Sequence, residues 1–263
     1  MDFNTLRLDI DGPLARLTLN RPERANAMTM EMGRELASAV GTIRANPGAR
    51  VVVVTGTGRH FCAGADMTEF ERLQSLPPAE VEAAVRVFLE AIGNLHRLPV
   101  PVIARINGDA FGGGVGLALA CDLRVMAAGA RMGFAFARVG LTGADAGVTY
   151  FLPRVVGPSR AIEILLRGMI FDGEAAARAG LVHQAVAPEE LDLVTDVLAA
   201  QLADGPPIAL RFTKEGVIES LARSLVEEFD FEGRAQTACL MSADHREGVR
   251  AFREKRAPVF TGQ

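Results

Sequence analysis

Apolar and polar residues alternate at the start of the chain as Leu6-Arg7-Leu8-Asp9-Ile10, turn at Asp11-Gly12, and alternate again from Leu14 to Leu19. Two period-two runs joined by an Asp-Gly turn predict a β-hairpin. Helical spacing then takes over, with Thr29 placed as an N-cap before Met30, Leu36 and Val40. Arg50 to Thr55 is a continuous β-branched run, suited to a parallel strand buried on both faces. From Glu80 to Leu98, the residues Val81, Val85, Phe88, Leu89, Ile92 and Leu95 fall on one stripe, which predicts an amphipathic helix ended by Pro99-Val100-Pro101. Val102 to Ile106 and Leu123 to Ala127 read as further strands. Beyond Pro158 the pattern is mostly helical, over 159–166, 172–179 and 189–202, and again after Asp204-Gly205-Pro206-Pro207 as far as Arg256. No repeat or low-complexity segment interrupts this order. It predicts an α/β core followed by a helical unit.

The length of 263 residues suits one substantial α/β domain with a helical appendage. A net charge of −4 with no basic run argues against a nucleic-acid partner. Cys62, Cys121 and Cys239 are widely spaced and form no CxxC pair, which fits a reducing, cytoplasmic setting and predicts no metal site. The opening MDFNTLRLDID has no basic-then-apolar leader, so no signal peptide is expected. Apolar runs such as Val51 to Val54 are too short to span a membrane.

Two runs of small residues carry the chemistry. Phe61-Cys62-Ala63-Gly64-Ala65-Asp66 follows a predicted strand, at the sheet edge where α/β proteins bind ligands. Ile106 to Asp122, with Gly112-Gly113-Gly114, leads into an apolar segment that reads as a buried helix. Glycine lets a backbone approach a ligand, and a helix N-terminus leaves its first amides unpaired. Two such amides aimed at one point would form an oxyanion hole. A glycine triplet before an apolar helix also occurs as a plain packing junction.

Four segments together resemble the crotonase superfamily, the enoyl-CoA hydratase/isomerase family. They are NRPERANAMT from Asn20, FCAGADM from Phe61, INGDAFGGG leading to LALACDLRV, and GADAGVTYFLPRVVG ending at Gly157. The resemblance covers essentially the whole chain. It implies a spiral of ββα turns over residues 1–200 and a C-terminal helical trimerisation region over 201–263. It also implies an acyl-CoA thioester substrate with no cofactor beyond its coenzyme A, and assembly as a homotrimer or a dimer of trimers. Carried over by position, the oxyanion amides fall on Ala65 and Gly113. The CoA-contacting positions fall on Arg24, Ala25, Ala27, Ala63, Asp66 and Met67, with Phe260 as a C-terminal aromatic over the CoA. A lysine common after that aromatic is Thr261 here, which leaves Lys255 or Arg256 to take its place. Asp66 also reads as a residue that holds its loop through backbone amides.

The same resemblance sets the two glutamates of hydratases on Gly116 and Phe136. Neither residue transfers a proton, and hydration calls for a paired acid and base. One carboxylate stands in the neighbourhood, Asp145, in a loop one residue longer than in related sequences that carry an aspartate there. Among those relatives are double-bond isomerases and a dehalogenase. Asp145 therefore has two readings: a proton-shuttling base with a raised pKa beside Phe134, Phe136 and Val139, or the N-cap of a helix through Thr149 and Tyr150. Glu69 and Glu71 are alternative bases or a solvated face. Asp109 and Tyr150 are weaker candidates, and no histidine suggests a triad. The expected activity is double-bond isomerisation through a thioester enolate, with hydration or thioester hydrolysis as enzyme alternatives and silent acyl-CoA binding as the non-catalytic one.

Overall fold

The computed structural model describes residues 3–263. The hairpin forms as β1 (Leu6–Asp11) and β2 (Leu14–Leu19), antiparallel from Leu6↔Leu19 to Asp11↔Leu14. Thr29 caps α1 (Met30–Ala45), its hydroxyl accepting from Met32 N at 3.2 Å, a bond worth about 1 kcal/mol.

The chain then makes three similar turns. β3 (Val51–Gly56) leads to β4 (His60–Cys62), α2 (Met67–Gln74) and α3 (Pro78–His96). β5 (Val102–Ile106) leads to β6 (Asp109–Phe111) and α4 (Gly113–Ala120). β7 (Leu123–Ala127) leads to β8 (Arg131–Gly133), a 3-10 turn over Ala135–Val139, α5 (Val148–Val156) and α6 (Pro158–Arg167). β9 (Ile170–Asp172), α7 (Gly173–Arg178), β10 (Gln184–Val186) and α8 (Leu191–Ala203) complete the core. In each turn the first strand enters a six-stranded sheet ordered β1-β2-β3-β5-β7-β10, and the second enters a four-stranded sheet ordered β4-β6-β8-β9.

β3 explains why the core sits where it does. It pairs in parallel with β2 and β5, and every one of its residues is buried. Its branched side chains suit an extended backbone, and layers on both faces remove them from water. Helix α8 supplies one of those layers, packing on β3, β5 and β7. The division expected after residue 200 falls inside α8.

Helix α3 departs from its predicted stripe. Phe88, Ile92 and Leu95 are buried, but Val85 and Leu89 are 38% and 40% exposed. The C-terminal half is where α3 meets α1, with Phe88 seated against Gly33, and the N-terminal half carries no buried residue. Periodicity gives the face of a helix and not how far along it the partner reaches.

After the break at Gly205, α9 (Pro207–Glu219), α10 (Leu225–Met241) and α11 (Ala243–Glu254) pack in succession. Lys214 of α9 ties this unit to the core, with Nζ 2.7 Å from Asp122 Oδ2 and 3.0 Å from Val100 O. Among the described residues no helix is long and apolar enough to cross a membrane.

Candidate active site

The first small-residue run leaves β4 as extended chain. Ala63, Ala65 and Met67 are exposed while Gly64 and Asp66 are buried, so the segment shows alternate residues to solvent. The strand-like run is pinned by the segment from Arg21 to Met28. Ala63 N–H donates to Ala25 O at 3.0 Å, Met28 N–H to Gly64 O at 2.7 Å, and Asp66 N–H to Met28 O at 2.9 Å. Gly64 and Asp66, on either side of Ala65, make the bonds of this parallel bridge. The Ala65 N–H consequently points away from Met28.

Buried Asn26 holds the pinning segment in shape. Ala25 and Asn26 both lie in the left-handed region, at φ 51° and 54°. The Asn26 amide donates to Thr57 O at 2.9 Å and His60 O at 2.8 Å, and its oxygen accepts from Arg21 N at 2.9 Å. The Arg21 guanidinium reaches Ala27 O at 2.6 Å and Asp66 Oδ2 at 2.9 Å. Asp66 also caps α2, accepting from Thr68 N at 3.1 Å and Thr68 Oγ1 at 2.8 Å. Burial opposes its charge, but the bonds from Thr68 and Arg21 outweigh that and bring its pKa below the ordinary value. Its carboxylate is thus turned inward, and its contribution to the site is to fix the run that carries Ala65.

The second run turns at Gly112, whose φ of 52° and ψ of −123° suit glycine alone. The next residue, Gly113, opens α4, so its N–H has no carbonyl within the helix to bond. Every residue of α4 is buried, which makes this amide a rigid donor. The two runs touch: a Cβ on Gly64 would stand 3.3 Å from Gly113 N and 2.8 Å from Phe111 O. The amides of Ala65 and Gly113 are therefore carried on neighbouring backbones.

Asp145 enters from the loop before α5. A Cβ on Gly113 would lie 3.5 Å from Asp145 Oδ2 and 3.0 Å from Met28 Sδ. Burial raises the Asp145 pKa above the ordinary aspartate value, with one bond from the Ala146 N–H as the opposing effect. The capping alternative is corrected here. The N-cap of α5 is Gly147, no side chain caps that helix, and it is the Asp145 carbonyl that accepts from Val148 N at 2.8 Å. Ala146 and Gly147 both have positive φ, at 48° and 76°, and they turn the loop so that the carboxyl faces Gly113.

Gly116 faces this loop from the next turn of α4. A Cβ there would overlap the Cβ and carbonyl oxygen of Ala146 and lie 3.0 Å from its carbonyl carbon. Phe136, on the 3-10 turn, is buried, with its ring edge 3.8 Å from a Cβ placed on Gly112.

The remaining candidates are engaged elsewhere. Glu69 pairs with Arg72 at 2.9 Å, Glu71 is solvent-exposed, and Asp109 accepts from Arg131 N at 2.9 Å. Tyr150 lies under the Arg154 guanidinium at 3.5 Å. Arg24 is exposed and Ala27 buried, both on the pinning segment. Phe260 lies in a groove among α9, α10 and α11, lined also by Ile208, Cys239 and Phe252, and makes its contact with Gly248. Arg256 is bound to Glu247 and Glu254, each at 2.6 Å, which leaves Lys255 as the neighbouring exposed cation. Sequence reasoning passed over Asn26 and Ala146. A lone asparagine among small residues was a signal for the first; nothing in the sequence marked the second.

The chain matches the enoyl-CoA hydratase/isomerase family over residues 9–263, and it belongs to that family. A probable enoyl-CoA hydratase of Rhodobacter capsulatus is 40% identical, covering 100% of both chains. The 1,2-epoxyphenylacetyl-CoA isomerase of Escherichia coli is 37% identical over 97% of each. The crystal structure of an enoyl-CoA hydratase from Bacillus anthracis superposes with a TM-score of 0.92 at 32% identity, covering 99% of this chain and 100% of that one. The crotonase-type fold is shared, and the family acts on acyl-CoA thioesters.

Proposed function

We propose that this enzyme moves a carbon–carbon double bond within an acyl-CoA, with Asp145 as the single base. The observation that carries this is the Asp145 carboxyl lying beside Gly113, buried enough to raise its pKa. The thioester oxygen accepts the N–H groups of Ala65 and Gly113. Asp145 takes the proton from the α-carbon of a 3-enoyl thioester, and the electron pair passes into a dienolate whose charge rests on that oxygen. The same carboxyl returns the proton at the γ-carbon, which yields the 2-enoyl thioester with nothing gained or lost. Each amide contributes roughly 3–4 kcal/mol to holding the dienolate. A base that must also release its proton works best with a pKa nearer the working pH. Gly116 and Phe136 supply no second proton-transfer group, which supports isomerisation over hydration.

The CoA moiety runs along the exposed faces of Arg24, Ala25, Ala63 and Met67, over Ala27 and Asp66 beneath them. Self-assembly is supported by apolar side chains left in solvent on and between α9 and α10, among them Val217, Leu221, Val226, Phe229 and Met241. Hydration is the second reading, favoured by the name of the Rhodobacter relative. Mass spectrometry of 3-enoyl-CoA and 2-enoyl-CoA incubated with the enzyme in D₂O separates the two. Conversion of the 3-enoyl into the 2-enoyl ester is expected, with the two separated by chromatography ahead of the spectrometer because their masses are equal. Deuterium enters to the extent that the Asp145 carboxyl exchanges its proton before returning it. Gain of water by the 2-enoyl ester would replace isomerisation with hydration, and unchanged esters would leave a binder.

A further inference from the structure

We propose that Gly116 is a positioning residue, whose missing side chain forms the seat for Ala146 and so holds Asp145 against Gly113. The proposal rests on the reading of Asp145 as the base. The contact is one-sided in its rigidity. Helix α4 is buried throughout, and Gly114 on it is already so close to Cys62 that a Cβ would stand 2.8 Å from the Cys62 Cβ. The helix has nowhere to retreat. The loop opposite has exposed residues at Leu141, Thr142 and Ala144, yet Ala146 is 3% exposed. Ala146 also holds a positive φ that alanine rarely adopts. Such a conformation persists where the surroundings fix it, and here its methyl group and carbonyl fill the notch at Gly116 while the Phe151 ring closes over Gly147. Asp145 is the adjoining residue, so displacement of Ala146 displaces the carboxyl. Because its geometry against a reacting atom is at stake, a shift of about 1 Å is enough to slow turnover by about 100-fold.

The test uses G116A, A146L and D145N in the full-length enzyme. Both G116A and A146L are expected to lower kcat on 3-enoyl-CoA by about 10- to 100-fold, while binding of a saturated acyl-CoA changes little. The acid limb of the kcat profile should move down toward the ordinary aspartate range, because the released carboxyl regains water. Hydrogen exchange at the Ala146–Val148 amides should quicken in both. A146L changes only the loop, so it carries the test if G116A fails to fold. A folded variant with wild-type kcat, pH profile and exchange overturns the seat. Loss of turnover in D145N beside unchanged G116A and A146L kinetics overturns the positioning role alone. Full turnover in D145N overturns the assignment of the base, and the positioning role with it.

Discussion

Asp145 Oδ2 and Gly113 are so close that a Cβ on the glycine would lie 3.5 Å from the carboxylate oxygen. On the proposed mechanism, that closeness couples the two halves of the chemistry. The residue proposed to offer an amide to the thioester oxygen is also the residue against which the proposed base rests. A substrate bound through its carbonyl therefore presents its α-carbon near the same carboxyl. Any side chain at position 113 would stand between them.

Replacing Asp145 by asparagine keeps the size and the bond from the Ala146 N–H and removes the base. The expected kcat falls by about 10²- to 10⁴-fold, with the affinity for a saturated acyl-CoA nearly unchanged. On the proposed mechanism, the ionised carboxyl is the active form in the wild type. Burial raises its pKa, so activity should rise with pH through a value higher than that of an ordinary exposed aspartate. Steady-state kinetics across pH, with isothermal titration for binding, check both parts.

The same burial has a consequence for stability. A carboxyl whose folded pKa lies above its unfolded one binds more protons when folded, so stability falls as pH rises through that window. At neutral pH the buried charge costs stability that D145N recovers. The variant should melt higher than wild type at pH 7, and the gap should close as pH drops toward about 4, the ordinary aspartate value. Thermal unfolding at several pH values measures this. A lower melting temperature for D145N at pH 7 would contradict it.

Much of this arrangement was legible in the sequence because it depends on backbone. The β1–β2 hairpin, the Thr29 cap and the all-buried β3 follow from local spacing, and the glycines at 64, 112 and 113 mark where main chain meets main chain. Asp145 was visible as a carboxylate, yet its role was not. Whether it capped α5 or faced Gly113 depended on the positive φ of Ala146, an alanine that no propensity places there. Asn26 stood out only as an asparagine among small residues: the bonds that make it matter tie Arg21 to Thr57 and His60, far apart in sequence. Long-range polar contacts of this kind leave no period to read.

Glutamate at position 116 should not create a hydratase. If Gly116 were simply a lost acid, G116E would restore it and produce hydration of 2-enoyl-CoA. The notch is filled by Ala146, and any Cβ overlaps that residue. The longer side chain expels the loop and carries Asp145 away from Gly113. The expected outcome is loss of isomerisation with no gain of water, read by mass spectrometry of both esters. Hydration by G116E would show that the loop yields without cost.

Asn26→Ala tests how far the proposed oxyanion frame depends on a buried residue of the pinning segment. The change leaves the Thr57 carbonyl without its side-chain donor, the His60 carbonyl with only the longer bond from Asn107 Nδ2 at 3.3 Å, and the Arg21 N–H without its acceptor. It also puts alanine at φ 54°. A loss of about 2–4 kcal/mol follows from the unpaired groups and the backbone together, seen as a lower urea midpoint with an unchanged slope. Asn26→Gly loses the same bonds but accepts the left-handed backbone, so it should be more stable than Asn26→Ala by about 1 kcal/mol. Because Ala25 and Met28 bond the run that carries Ala65, both variants should also lose kcat. Equal stability of the two would place the whole effect in the hydrogen bonds and none in the turn.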